Sequence, residues 1–355
     1  MSEKVLMKGN EAIGEAAILA GCRHYFGYPI TPQTELTEYM SKHMPKVNGV
    51  FVQAESEIAA INMVYGAAGA GARTMTSSSS PGISLKQEGI SYIAGAELPC
   101  VIVNIVRGGP GLGSIQPSQC DYFQATKGGG HGDYRNIVLA PNSVQELVDI
   151  TILSFELADE YRNPVMLLGD GALGQMMEPV DLTINRKDTP AKPWAATGLR
   201  GRKKPNIINS LHLKPEDLEK HNIHLQEKYN KIRSKEVRYE ELNTDDADLI
   251  LVAYGITSRI ARSAMEKARS EGMKVGLLRP ITLWPFPEEV LSKLATKTDA
   301  FLTLELSAGQ MVEDVRLAVN GMKPVHFYGR MGGMIPSTKE VYEQILQILR
   351  GKGGK

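Results

Sequence analysis

Two carboxylates two residues apart, Glu55 and Glu57, open a run of small and apolar residues. The run passes through Ile58, Ala59, Ala60, Ile61, Met63 and Val64 into Gly66-Ala67-Ala68-Gly69-Ala70-Gly71. It is too bare of polar side chains for a surface helix. Its composition predicts a helix buried nearly all round, packed closely through Ala and Gly. A carboxylate on the first turn of such a helix is favoured by the helix dipole. Turned inward it is desolvated, its proton affinity rises, and it can hold a proton for a ligand. A helix turns about 100° per residue, so the two carboxylates cannot share a face. The competing reading is a plain N-terminal capping carboxylate with no chemical role. The glycines at 66, 69 and 71 lie inside the helix rather than at its start, which argues against a dinucleotide fingerprint. Cys22, Cys100 and Cys120 are scattered with no CxxC, so they form neither an iron–sulfur motif nor a disulfide framework. His221 and His224, with His212 nearby, lack a carboxylate or cysteine at ligand spacing. They read as surface residues rather than metal ligands.

The elements that must position Glu57 follow an alternating pattern. Residues 9–21 read as a helix stopped by Gly21. A short strand over 24–29 ends in the turn Pro29-Ile30-Thr31-Pro32, and a helix follows over 35–43. A strand over 50–52 feeds the Glu57 helix. Another, over 73–77, runs into Ser77-Ser78-Ser79-Ser80-Pro81-Gly82 and a helix over 84–95. Residues 100–106, CVIVNIV, form a continuous apolar run, as expected for a strand covered on both faces. A strand over 137–140, a helix over 144–161 and a strand over 165–168 complete the unit. Strand and helix repeated in this way predict an α/β fold, a parallel sheet with helices on both faces over 1–188. Residues 189–211 carry Pro190, Pro193 and Pro205 and the basic cluster Arg200, Arg202, Lys203 and Lys204. They read as a solvated linker. Residues 214–241 are strongly charged, with apolar positions at Leu218, Ile223, Leu225 and Ile232. They read as a long solvent-facing helix or a clamp on a partner chain. Together 189–245 form a linker and charged helical segment, and 246–349 a second, smaller α/β domain.

The 355 residues carry 40 Lys plus Arg and 40 Asp plus Glu, so nothing in the charge balance asks for nucleic acid or an anionic membrane. The N-terminus is charged throughout and does not resemble a signal peptide. No apolar stretch reaches spanning length. Reduced cysteines and the absence of a leader predict a soluble, cytoplasmic protein.

Tyr28-Pro29-Ile30-Thr31-Pro32, the Glu57 helix, the turn Ser79-Ser80-Pro81-Gly82 and Arg107-Gly108-Gly109-Pro110 occur in order. So does Leu278-Arg279-Pro280-Ile281-Thr282-Leu283-Trp284-Pro285-Phe286-Pro287. Together they resemble the α subunits of 2-oxoacid:ferredoxin oxidoreductases over nearly the whole chain, closest to the 2-oxoisovalerate (3-methyl-2-oxobutanoate) subfamily. The resemblance implies a pyrimidine-binding first domain for thiamine diphosphate and a transketolase C-terminal-like second domain. It implies that Glu57, not Glu55, bonds N1′ of the aminopyrimidine, which favours the imino form of the 4′-amine that takes the C2 proton. Thr31 and Arg107 match residues that meet the 2-oxoacid carboxylate, where an Arg fork and a hydroxyl suit the ligand. A structural ion pair is the plain alternative for Arg107, and an ordinary turn residue for Thr31. Pro29, Ile30, Ser79 and Ser80 are implied to line the cofactor.

Gly169-Asp170-Gly171 looks like the GDG of thiamine enzymes. That site needs an asparagine roughly two dozen residues on to complete a metal's oxygen ligands. Asn185 is too near and Asn206 too far, so the motif reads as a strand-end turn. The resemblance then implies that a partner β subunit holds the Mg²⁺ and diphosphate. The resemblance likewise implies iron–sulfur clusters on partner γ and ferredoxin-like subunits, with coenzyme A and ferredoxin as acceptors. The alternatives are the 2-oxoglutarate enzyme of the same family and a non-catalytic interaction subunit.

Overall fold

The strand CVIVNIV is buried at all seven positions, and the first sheet is built outward from it. The computed structural model describes residues 4–183 and 188–351. In chain order the first part comprises β1 (Val5–Lys8), α1 (Gly9–Leu19), β2 (His24–Gly27), α2 (Thr34–His43), β3 (Val50–Gln53), α3 (Glu57–Gly69), β4 (Thr74–Ser78) and α4 (Pro81–Gly95). It continues with β5 (Cys100–Val106), α5 (Tyr122–Lys127), β6 (Ile137–Leu139), α6 (Val144–Tyr161), β7 (Pro164–Asp170), α7 (Gly171–Gln175) and β8 (Met177–Val180). Then come α8 (Pro215–Lys235), β9 (Tyr239–Leu242), β10 (Leu249–Val252), α9 (Gly255–Ser270), β11 (Val275–Pro280) and β12 (Thr282–Trp284). Last are α10 (Glu288–Ala295), β13 (Ala300–Glu305), α11 (Met311–Val319), β14 (Val325–Gly329) and α12 (Thr338–Gly351).

The larger sheet has the order β12-β6-β7-β5-β4-β2-β3. Its strands run parallel except β12, which pairs antiparallel with β6. Parallel neighbours need crossover connections, whose helices cover the sheet, so the central strands are apolar on both sides. The second sheet has the order β14-β13-β10-β11-β9, with β9 antiparallel to β11. Each sheet thus takes an edge strand from beyond the boundary drawn on the sequence. Residues 239–242 belong to a strand rather than to the charged helical segment. Residues 282–284 belong to the larger sheet rather than to the smaller domain's. Strands of three and four residues leave too little periodicity to read, and an open edge row of donors and acceptors decides where they dock.

Three other expectations need correction. Helix α3 is not buried all round: Ala60, Ile61, Val64 and Ala68 are covered, while Ile58 is 50% exposed. Its small residues admit α4 on one side only, where a Cβ on Gly89 would lie 2.5 Å from Ile61 Cγ2. The linker is not simply solvated. Asp159 grips it from α6, with Lys192 Nζ at 2.6 Å and Arg73 Nε at 2.7 Å. Ala196 N donates to Gly69 O at 2.8 Å, and the Arg162 guanidinium lies 4.5 Å over the Trp194 ring. Only Arg200, Lys203 and Lys204 of the basic cluster are exposed, because Arg202 donates to Pro193 and Gly198 carbonyls within the loop. Helix α8 clamps its own chain. It buries Leu225, Lys228, Tyr229 and Ile232, leaves Leu218 and Ile223 exposed, and pairs Lys228 Nζ with Glu97 Oε1 at 3.2 Å. His221 Nε2 lies 2.7 Å from Gly95 O, and His224 Nε2 3.1 Å from Glu97 Oε1.

The two sheets are tied through Gln119. Its carboxamide donates to Tyr254 O at 2.9 Å and accepts from Leu306 N at 2.9 Å, and its own N donates to Leu306 O.

Candidate active site

In the larger sheet β5, β4, β2 and β3 are consecutive neighbours, and each carboxyl end is followed by one predicted site segment. The turn with Pro29, Ile30 and Thr31 follows β2, Glu57 follows β3, Ser79 and Ser80 follow β4, and Arg107 follows β5. This is the edge where open α/β sheets bind ligands.

Ser56 caps α3 by accepting from Ala59 N at 3.2 Å. That cap sets the rotation of the first turn: Glu57 is 6% exposed and faces inward, while Glu55 is exposed. The Glu57 carboxylate packs over the bare Cα of Gly82. A Cβ there would lie 2.0 Å from Ser78 Oγ and 2.7 Å from Glu57 Oε1. The hydroxyls of Ser78 and Ser79 are buried with no hydrogen-bond partner. Buried polar groups are ordinarily satisfied, so both hydroxyls are free to meet a further polar group, whether water or a bound molecule.

Ser80 has φ 25° and ψ −82°, a backbone conformation that costs on the order of 1–3 kcal/mol. It is held there from two sides. Its N donates to Asn104 Oδ1 at 3.1 Å, and its Oγ accepts from Arg107 N at 3.1 Å. Asn104 Nδ2 in turn donates to Asp121 Oδ2 at 2.9 Å, and burial raises the Asp121 carboxyl above its usual range. Ser80 therefore couples the serine turn to Arg107.

Arg107 is 7% exposed. Its Nη1 donates to Thr31 O at 3.0 Å and its Nη2 to Leu112 O at 3.1 Å, while Nε is buried without a partner. The structure thus brings Thr31 and Arg107 together through the Thr31 carbonyl, and the Thr31 residue itself is exposed. Pro29 and Ile30 are half-buried beside it.

A polar network under the turn escaped the sequence reading. Tyr25 Oη lies 2.6 Å from Ser77 Oγ and 3.0 Å from Thr37 Oγ1, and Ser77 Oγ donates to Gln33 Oε1 at 2.6 Å. Lys86 joins it from α4. Tyr25 falls in an apolar strand and Lys86 among polar neighbours, so neither stands out by type or spacing.

Asp170 is the N-cap of α7. Its carboxylate accepts from Ala172 N at 2.9 Å, Leu173 N at 3.1 Å and, across to the second sheet, Ile256 N at 3.3 Å. Burial pushes it up to about 6. The geometry is that of a strand-end turn. Asn206 Nδ2 donates to Pro193 O and Ala195 O within the linker, and Asn185 lies outside the described residues. Among the described residues no group of three or more His, Cys, Asp or Glu is arranged to hold a metal. Cys22, Cys100 and Cys120 are free thiols.

A parallel sheet with loops at four adjacent strand ends, tied to a second α/β unit, is an architecture that thiamine-dependent enzymes share. A split-gene transketolase superposes on it with a TM-score of 0.61 at 15% identity, over 97% of this chain and 98% of that one, a likeness of fold alone. The family model for pyruvate flavodoxin/ferredoxin oxidoreductase, thiamine diphosphate-binding, matches residues 15–243. That for pyruvate:ferredoxin oxidoreductase core domain II matches 247–341. The chain belongs to this 2-oxoacid:ferredoxin oxidoreductase family. Ketoisovalerate oxidoreductase subunit VorB of Methanothermobacter thermautotrophicus is 55% identical over 97% of both chains. The 2-oxoglutarate synthase subunit KorA of Methanothermobacter marburgensis is 38% identical over 98% of this chain and 99% of that one. The solved 2-oxoglutarate:ferredoxin oxidoreductase of Magnetococcus marinus, with 2-oxoglutarate, coenzyme A and succinyl-CoA bound, superposes with a TM-score of 0.86 at 29% identity. It covers 98% of this chain, which spans only 65% of the solved chain's length.

Proposed function

We propose that this chain is the cytoplasmic α subunit of a thiamine-diphosphate-dependent 2-oxoacid:ferredoxin oxidoreductase that converts branched-chain 2-oxoacids oxidatively to acyl-CoA. The observation that carries the reading is the buried Glu57 carboxylate beside the unpartnered hydroxyls of Ser78 and Ser79. An acid flanked by free hydroxyls at a strand-end edge fits an aminopyrimidine, which offers ring nitrogens and an amine. The branched-chain preference rests on the 55% identity to the ketoisovalerate subunit against 38% to the 2-oxoglutarate subunit.

The cofactor supplies, when bound, the electron sink for decarboxylation. This chain's residues do the rest of the work on its half of the site. Glu57 exchanges a proton with N1′, which is general acid–base catalysis by a desolvated carboxyl. Arg107 and Thr31 orient the substrate carboxylate, the guanidinium plane being held by the carbonyls of Thr31 and Leu112. Pro29, Ile30 and Ser79 line the pyrimidine side. Ser80 also reaches that surface, with its hydroxyl committed to Arg107.

The Asp170 carboxylate is engaged by three backbone N–H groups, which supports a diphosphate and Mg²⁺ site on a partner β subunit. The half-exposed Ile58 on α3 supports a partner closing over this edge. Cysteines without cluster spacing support iron–sulfur clusters on the γ and ferredoxin-like partners. We retain the division into 1–188, 189–245 and 246–349 as the working description, with β9 of the middle segment completing the smaller sheet and β12 of the last completing the larger.

The test is reconstitution with the co-purifying subunits. Coenzyme A-dependent reduction of ferredoxin should be faster with 3-methyl-2-oxobutanoate than with 2-oxoglutarate. The reverse order assigns the chain to the 2-oxoglutarate enzyme.

A further inference from the structure

The inward face of α4 carries a residue that apolar periodicity would not put there. Lys86 is fully buried, while its neighbour Leu85 is 51% exposed. Its ammonium donates to Thr76 Oγ1 at 2.8 Å and to the Ser77 carbonyl at 3.0 Å. Both acceptors are neutral, so no contact ion pair offsets the lost hydration, and such a group costs stability. Burial pulls the ammonium down to about 7, against the opposing pull of the Glu57 carboxylate.

The placement relates Lys86 to Glu57. Lys86 lies one helical turn from Gly82 on the same face of α4, and Gly82 is the residue whose bare Cα supports the Glu57 carboxylate and Ser78. On the strand side Ser77 passes the contact to Tyr25 of β2 and to Gln33, which Thr37 of α2 also meets. The titratable groups in this surround are Glu57 of α3 and Tyr25 of β2. Burial raises the Tyr25 phenol, which stays neutral and contributes no charge.

We propose that Lys86 is a positioning residue that acts through Glu57, a buried cation fixed on β4 whose charge disfavours a proton on the carboxylate and so drives that proton outward to the ligand. The inference rests on reading Glu57 as the aminopyrimidine partner. The fold retains a costly ammonium where a leucine would pack because the acid–base pair needs it.

NMR of the full chain labelled with ¹⁵N,¹³C-lysine reads Lys86 directly, its signal assigned by loss in Lys86→Met. Its midpoint should lie near neutrality and fall by roughly half a pH unit or more in Glu57→Gln, because the attracting carboxylate is gone. In the assembled complex, C2-proton exchange of the cofactor should show a limb near neutral pH that Lys86→Met lacks. Lys86→Met should nevertheless melt at a higher temperature than the wild type, since a buried charge has been replaced by an apolar chain. A Lys86 midpoint unmoved by Glu57→Gln overturns the proposal, and so does an exchange profile of Lys86→Met that superimposes on the wild type. Wild-type exchange in Glu57→Gln instead overturns the underlying reading of Glu57, a failure separate from the coupling measured in the chain alone.

Discussion

Glu55 and Glu57 have the same side chain and opposite fates, and the Ser56 cap between them is the cause. Glu57→Gln keeps size and polarity but removes the exchangeable proton. C2-proton exchange in the assembled complex should slow by roughly a hundredfold or more, the usual reach of general acid–base catalysis. Glu55→Gln should exchange like the wild type because its side chain is exposed. Arg107 is argued from a different contact. Its guanidinium holds two carbonyls and keeps a buried, unpartnered Nε. Arg107→Ala should raise the apparent KM for every 2-oxoacid far more than it weakens cofactor binding, by on the order of 2–5 kcal/mol. Unchanged kinetics would return Arg107 to a purely structural role. The inward placement of Glu57 was readable because it opens an unusual helix. That Ser80 serves Arg107 was not, since a hydroxyl's partner 27 residues away leaves no trace in spacing.

At the scale of elements, the linker between the two units has its one buried ion pair at a single carboxylate among the described residues. Asp159 meets both Arg73 and Lys192, with all three side chains at least nine-tenths buried. Asp159→Asn leaves two buried cations without their counter-charge. It should cost about 3–5 kcal/mol in urea unfolding and expose the 189–211 strap to proteolysis. A loss below about 1 kcal/mol would mean the strap is held by Trp194 and Ala196 instead. Composition reads this strap as linker because prolines and surface lysines dominate it. Lys192 differs from Lys203 and Lys204 only in what lies beneath it. The α3–α4 contact shows the converse. Alanine and glycine announce close packing, and Gly89 against Ile61 fulfils it on one side. Composition does not say whether the other side is covered by this chain or by another.

For the whole molecule, Asp170 joins the larger sheet to the Ile256 turn of the smaller one. Its folded-state value is raised to about 6 by burial, above the ordinary value of about 3.9. The folded chain therefore binds this proton more tightly than the unfolded chain. The stability it contributes is fully present below about pH 4 and is lost as pH rises through about 6, roughly 3 kcal/mol in all. Urea midpoints measured from pH 4 to 7 should show this slope, and Asp170→Asn should flatten it. A parallel pH dependence in both proteins would place the slope elsewhere. The isolated chain should also be colourless and inactive toward 2-oxoacids, because its cysteines lack cluster spacing and Asp170 is occupied by backbone donors. Stoichiometric iron in the purified chain would contradict this.

The alternation of apolar runs with amphipathic helices was enough to define two α/β units. Ordered motifs singled out Thr31, Glu57, Ser79, Ser80 and Arg107, which the fold gathers at the carboxyl ends of four neighbouring strands. Those signals are local, carried by a residue's type and the few positions around it. Tertiary structure alone decided which strand edges β9 and β12 complete, which face of α3 is covered and how Asp159 pins the strap. It also decided that Lys86 points inward while Leu85 points out. The physical reason is the same in each case. A three-residue strand, a buried ion pair or an inverted helix position is stabilised by groups far away in the chain. Its free energy depends on partners that neighbouring residues do not encode.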